Sequence, residues 1–179
     1  MVVLAIVAIL TTMATPSLAW LVQSNAMSSN VNTFMADLRF ARGEAIRRGA
    51  SVVMCRSDAP ETPNPTCASG FAAADGWVTG WIVFLDSNNN AVNESSEVLL
   101  RVQSSINRLD AIVEKGTAAP STLFRFTATG RLLNPSSAAS LQFGGSLYAS
   151  DAQRVLCVGP GGRARIAGNG TVSCGANNS

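Results

Sequence analysis

The chain opens on an almost continuous aliphatic run, MVVLAIVAIL over residues 1–10, and carries no charged side chain from Met1 to Ala36. About 20 mostly apolar residues suffice to cross a bilayer. Met1–Val22 has that length, interrupted only by Thr11, Thr12, Thr15, Pro16 and Ser17. A secretory signal competes for the same residues, because Ser17-Leu18-Ala19 resembles a small-x-small cleavage site. Two features oppose it: no basic residue precedes the run, and helical periodicity continues beyond the supposed junction. Pro16 predicts a kink or local opening, which membrane helices tolerate.

Past Val22 the pattern turns amphipathic. Met27, Val31, Phe34, Leu38, Ala41 and Ala45 recur at spacings of three and four and share one helical stripe. Asp37, Arg39, Glu44 and Arg48 fall elsewhere, and Glu44–Arg48 is a favourably ordered i,i+4 pair. Gly49 suits the residue after a helix end. The pattern predicts one helix from Met1 to Arg48, bare hydrophobe over 1–22 and domain-packed over 23–49.

From Ser51 the period changes to two. Ser51–Cys55, Trp77–Leu85, Glu97–Val102, Ile106–Val113, Leu123–Ala128, Ala139–Phe143, Arg154–Val158 and Ala164–Ile166 read as short strands. Turn-rich stretches separate them at Ser57–Ser69, Ser87–Ser96, Asn134–Ser137 and Pro160–Gly162. There is no internal repeat and no interdomain linker. Many strands after one long helix predict an α+β fold, with an antiparallel sheet domain over 50–179 packed on the second half of the helix.

Composition narrows the chemistry. The 179 residues contain no histidine, which excludes Ser-His-Asp triads, Cys-His pairs and His-ligated zinc. Residues 1–115 hold eight basic and ten acidic side chains, whereas 116–179 hold five Arg and only Asp151. Arg suits forked contacts to phosphate, so this basic third invites a partner. Four cysteines allow three connectivities, of which Cys55–Cys67 with Cys157–Cys174 needs least rearrangement. Zinc is the rival, but neither spacing is that of a short zinc knuckle. Disulfides beside an N-terminal apolar helix predict a periplasmic or extracellular domain.

Three constellations stand out. Asp86, Asn88, Asn90, Glu94 and Glu97 occupy positions 1, 3, 5, 9 and 12 of a calcium-loop pattern. Ala91 replaces the turn glycine and the flanks read as strands, which favours a polar hairpin tip instead. Asp37/Glu44 and Asp58/Glu61 pair carboxylates by spacing alone, in segments reading as exposed helix or loop. No catalytic set emerges, no cofactor is implied, and the chain reads as a non-enzyme. Gly162-Arg163-Ala164-Arg165 is the third. In an extended strand Arg163 and Arg165 lie on one face about 6.6 Å apart, with Ala164 and Ile166 toward the core. That spacing suits neighbouring phosphates of a nucleic acid. Arg154 and Arg131 are expected to extend the basic surface. The alternatives are a solvated strand face or an internal partner such as Asp151.

The aliphatic start, its Pro and the long amphipathic extension resemble the N-terminal helix of type IV pilin-like proteins. Asn32–Cys55, Asp75–Asp86, Glu97–Val102, Phe124–Gly130 and Gly162–Ile166 resemble the GspH/FimT family of minor pilins and pseudopilins. The resemblance implies a type IV pilin-like fold. It implies a protein held in the inner membrane by its helix, with a periplasmic domain, and extracellular once packed with major and minor pilins in a pilus. It further implies DNA binding during natural transformation through a Gly-Arg-x-Arg element, here Gly162, Arg163 and Arg165. The alternatives are a minor pseudopilin of type II secretion or a pilus-priming minor pilin without DNA binding. The family's prepilin motif is expected before Met1, so its peptidase site, methylated residue and assembly Glu fall on no position of this sequence.

Overall fold

The computed structural model describes residues 2–69, 76–115, 123–133 and 139–174, with the backbone alone over 2–19. One helix, α1 (Val2–Arg48), runs through Pro16 as a single element. Its end is fixed by backbone chemistry. Gly49 adopts φ 62°, its N–H donates to the Ile46 carbonyl at 3.4 Å, and Ala50 N–H reaches back to Ala45 at 3.2 Å. That pair of bonds is the glycine-terminated helix end that the sequence implied. Among the described residues no helix is long and apolar enough to cross a membrane. Most of the expected span, Met1–Val22, has side chains outside the described residues.

Among the described residues eight strands follow: β1 (Ser51–Arg56), β2 (Trp81–Asp86), β3 (Val98–Gln103), β4 (Ile112–Glu114), β5 (Leu123–Phe126), β6 (Ala139–Phe143), β7 (Arg154–Val158) and β8 (Ala164–Gly168). They form two four-stranded sheets rather than one, ordered β3-β2-β1-β5 and β4-β6-β7-β8, with antiparallel pairing throughout. A parallel bridge between Gly76 and Ile112 joins the elements leading into each sheet. Two expected strands are shorter than their patterns. Trp77–Thr79 forms a 3-10 turn before β2, with Gly80 at φ 114° between them, so the apolar run is broken by backbone rather than by polarity. Of Ile106–Val113 only the end enters β4. Ile106 instead donates its N–H to Val78, and Ile106 and Leu109 are buried as loop residues.

The stripe Met27, Val31, Phe34, Leu38, Ala41 and Ala45 is entirely buried, each residue no more than 1% exposed. Phe34 sits at its centre. Its ring meets Trp77, Trp81, Phe124 and Phe143 edge-on, with centroids 5.2, 4.9, 6.4 and 5.5 Å away. Three of those partners come from the two sheets and Trp77 from the 3-10 turn, so one helical side chain closes the core between the sheets. The outer face of the first sheet has a smaller cluster of Val53, Cys55, Ile82 and Phe84, against which Cys67, Ala91 and Leu123 pack. Both disulfides form as the local pairing, Cys55–Cys67 and Cys157–Cys174.

Asp37 is a correction. Its segment reads as exposed, but Asp37 is buried, accepting from Trp81 Nε1 at 2.8 Å and Arg101 Nη1 at 2.5 Å. Arg101 also lies over the Phe40 ring, 4.0 Å from its centroid. The residue is a neutralised, hydrogen-bonded strut between α1 and the first sheet, the condition under which a carboxylate enters a core.

Candidate nucleic-acid interface

The basic third of the chain is organised by two tight turns with the same hydrogen bonds. After β5, Thr127 N–H donates to the Arg131 carbonyl at 2.8 Å and Gly130 N–H to Thr127 at 2.7 Å. After β7, Gly159 N–H donates to Arg163 at 2.9 Å and Gly162 N–H to Gly159 at 2.8 Å. Gly130 and Gly162 have φ 74° and 73°, the left-handed position that such three-residue hairpin loops reserve for glycine. Each turn therefore ends in Gly-Arg, at Gly130-Arg131 and Gly162-Arg163.

The turns stack on each other. Leu132 N–H donates to the Pro160 carbonyl at 3.1 Å. A Cβ on Gly162 would collide with the Gly130 carbonyl oxygen, so only glycine permits this approach. The same oxygen accepts from Arg42 Nε of α1 at 3.0 Å. The Gly130 carbonyl is thus a hub where the helix and both turns meet. Arg131 and Arg163 are exposed, and among the described residues neither forms an ion pair. Each α-carbon lies about 3.8 Å along the chain from the stacked glycine, so the two arginines leave from neighbouring points.

Arg165 is exposed on β8, opposite Cys157 and hence on the face bearing the Cys157–Cys174 disulfide. The tail to that disulfide is tied back by Gly170, whose N–H reaches Ser150 at 2.8 Å and whose carbonyl accepts from Lys115 Nζ at 2.6 Å. Ile166 does not turn into the core as expected; it is 44% exposed. β8 is an edge strand and its register with β7 shifts between Val155 and Leu156.

Arg154 is not part of this surface. It alternates with Leu156 and Val158 on the helix side of β7, whereas Arg165 shares the opposite face with Cys157. Its Nη1 donates to the carbonyls of Asp151, Ala152 and Gln153 at 3.0, 3.2 and 2.8 Å. Nearby, burial pushes the Tyr148 phenol above its ordinary pKa and the Asp110 carboxylate adds to it. Burial also pushes Asp110 up, but hydrogen bonds from Ser146 and Leu147 together outweigh it and hold the carboxyl below its usual value.

The calcium-like loop joins β2 to β3 as a hairpin. Asp86 is buried, accepts from Asn90 N–H at 3.0 Å and Ala91 N–H at 3.2 Å, and is ion-paired with Arg125, whose Nε lies 3.1 Å away and donates to Ser51 Oγ. Asn88 and Asn90 donate their side-chain amides to Glu94 at 2.9 and 3.0 Å, and Glu97 accepts from Ser87 N–H at 2.8 Å. Most of the loop's oxygens are engaged by protein donors, while Glu97 Oε2 is buried without a hydrogen-bond partner among the described residues. Among the described residues no group of three acidic, Cys or His side chains is placed to hold a metal ion.

The carboxylate pairs do not form. Asp37 faces Trp81, while Glu44 is gripped by Arg47 and Arg48, whose guanidiniums hold its carboxyl down at about 2. Asp58 binds Arg56 at 2.5 Å. Sequence reasoning missed Arg42 and the Gly130 carbonyl. Their only signal was the repeated Gly-Arg after a turn, which periodicity does not register.

A family model described as Type II transport protein GspH matches residues 30–162. The fold is similar to two crystal structures of the type IV minor pilin FimU from Pseudomonas aeruginosa (strain PAO1). One has TM-score 0.56 at 18% identity, covering 79% of this chain and 88% of that one. The second has TM-score 0.50 at 19% identity, covering 78% and 90%. At these identities the likeness establishes the type IV pilin fold. No curated protein matches the chain. Arg163 and Arg165 lie beyond the segment that the family model covers.

Proposed function

The chain belongs to the GspH family, and we propose that it is a minor pilin of a type IV pilus that also holds DNA through Arg131, Arg163 and Arg165. One observation carries the DNA reading: two stacked Gly-Arg turns put Arg131 and Arg163, which form no ion pair among the described residues, on adjacent rigid backbone. Rigid cations spaced for successive phosphates bind nucleic acid without reading bases. Before assembly the Met1–Val22 helix holds the protein in the inner membrane with its disulfide-bonded domain in the periplasm. In the filament that helix exchanges lipid for the helices of other major and minor pilins.

DNA binding by the purified chain is expected to be weak, indifferent to sequence and steeply salt-dependent. Replacing Arg163 and Arg165 by Ala flattens the log–log salt slope by about 1.8 units on duplex, the yield of two lost phosphate contacts. An unchanged slope and affinity in the double variant defeats this reading. The anchor has its own test. Among the residues whose side chains are described, every buried core residue lies at Met27 or beyond, so the chain beginning near Ala26 is expected to be soluble and monomeric, and the full chain to require detergent. Membrane partition of the shortened chain would contradict it.

A second reading is favoured by the family description itself: a minor pseudopilin of type II secretion. Deleting the gene separates the two. Loss of transformation with intact secretion supports the pilus, and loss of secreted enzymes supports the secretion machine.

A further inference from the structure

A notch of about 90 Å³ opens where α1 leaves the globular domain. Trp20 and Met27 line it from the helix, with Tyr148, Asp151 and Arg154 from the turn leading into β7. Around it stands a collar of exposed apolar residues: Trp20 at 64%, Leu21 at 49%, Val22 at 44% and Leu147 at 64%. The collar lies at the C-terminal end of the uncharged Met1–Val22 run. Patches of this kind mark interaction surfaces rather than ordinary solvent-facing residues.

We propose that this notch receives the headgroup of a zwitterionic phospholipid while the helix is in the bilayer. The inference rests on the membrane-held state proposed above. Three features choose this occupant over an apolar one. First, the notch carries one cation and one anion, Arg154 and Asp151, matching a phosphate and an ammonium on the same headgroup. Second, two aromatic rings, Trp20 and Tyr148, line it; ring faces attract ammonium groups. Third, tryptophan at the end of an apolar helix settles at the headgroup level.

The receptor is also pre-built. Arg154 Nη1 is fixed by three carbonyls, and the Tyr148 hydroxyl donates to the Arg108 carbonyl at 2.6 Å. Neither group needs ordering when lipid arrives. Once the helix leaves the bilayer, the collar and notch are vacated together. The site therefore acts on the membrane-held subunit and is released by filament entry.

The full chain is reconstituted into vesicles of equal phosphatidylethanolamine and phosphatidylglycerol, and the lipid it retains is counted by native mass spectrometry. The wild type is expected to retain phosphatidylethanolamine preferentially. Asp151→Asn and Arg154→Gln each lower that retention by about twofold, the scale of one exposed ion pair, while Arg154→Lys keeps most of it. Asp151→Asn guards against misfolding, because that exposed carboxylate holds no other element in place. Trp20 gives a second readout through quenching by lipids brominated near the headgroup. Trp77 and Trp81 are buried at 1% and 0%, so the quenching must vanish in Trp20→Phe.

Equal retention of both lipids, unaltered by either variant, overturns the proposal. So does retention that rises in Asp151→Asn, which marks a site for phosphate alone. Shielding of Trp20 from bromine as protein density rises also overturns it, because a second pilin then covers the collar. Failure of the full chain to remain with vesicles overturns the membrane-held reading, and this proposal with it.

Discussion

The middle of α1 and the stacked turns beyond its end are both immobilised, but by different means. Around Phe34 the constraint comes from side chains. Four aromatic rings, three from the two sheets and Trp77 from the 3-10 turn, surround one ring, and the backbone there is ordinary helix. Around Gly130 and Gly162 the constraint comes from backbone. Carbonyls, amides and the absence of two Cβ atoms fix the geometry, and the side chains that follow point to solvent. A surface that presents charge is better served by the second device, since the backbone there is fixed independently of the side chains of Arg131 and Arg163. On the proposed DNA reading, stability and recognition are separable, and substitutions in the two regions are expected to divide accordingly.

The largest effect is expected at Phe34. Phe34→Ala removes the ring shared by both sheets and is expected to cost about 3–5 kcal/mol, as large-to-small changes in aromatic cores do. Urea unfolding of the soluble chain checks this. A cost near 1 kcal/mol would mean that the sheets pack adequately without the helix, and the contrast drawn above would collapse.

The turns offer a built-in control. Gly161 has open space where a Cβ would go, whereas Gly162 sits at φ 73° with the Gly130 carbonyl in the way. Gly162→Ala is expected to cost about 1–3 kcal/mol through backbone strain and to weaken DNA binding although no charge is removed. Gly161→Ala is expected to be neutral or to stabilise by up to about 1 kcal/mol by restricting the unfolded chain. Equal behaviour of the two variants would show that the stacking does not position Arg131 and Arg163.

The elements that periodicity governs were readable from sequence. The stripe from Met27 to Ala45 was found residue by residue, because burial on a helix repeats every three or four positions. Most of the described strands were located for a similar reason, although only the end of Ile106–Val113 is extended. What escaped depends on contacts between distant residues. Asp37 could not be read as buried without knowing that Trp81 and Arg101 arrive beside it. The division into two sheets, the side of β7 on which Arg154 lies, and the exposure of Ile166 follow from register and edge position. In the candidate site, Arg163 and Arg165 were legible as a motif. Their frame was not, since Arg42 and Gly130 are 88 residues apart.

The smallest expected effect is one of pH, and it falls on the exposed rim next to both regions. Glu44 is held at about 2 in the folded chain by Arg47 first and Arg48 second, against an ordinary value of 4.5. A carboxyl depressed on folding contributes stability that is present above its unfolded pKa and lost as pH falls through the folded one. For Glu44 that window runs from 4.5 down to about 2. Asp110 is displaced in the same direction and adds to the loss below its ordinary value. The Glu44 ion pairs lie at the surface, and such pairs contribute little and are screened by salt, whereas Asp110 is held by the uncharged donors of Ser146 and Leu147. The urea midpoint of the soluble chain is therefore expected to decline only gently as pH falls into that window, less so at high salt. Glu44→Gln should remove part of the decline, while its midpoint near neutral pH drops slightly. A steep acid transition unaffected by Glu44→Gln would place the dominant titration elsewhere.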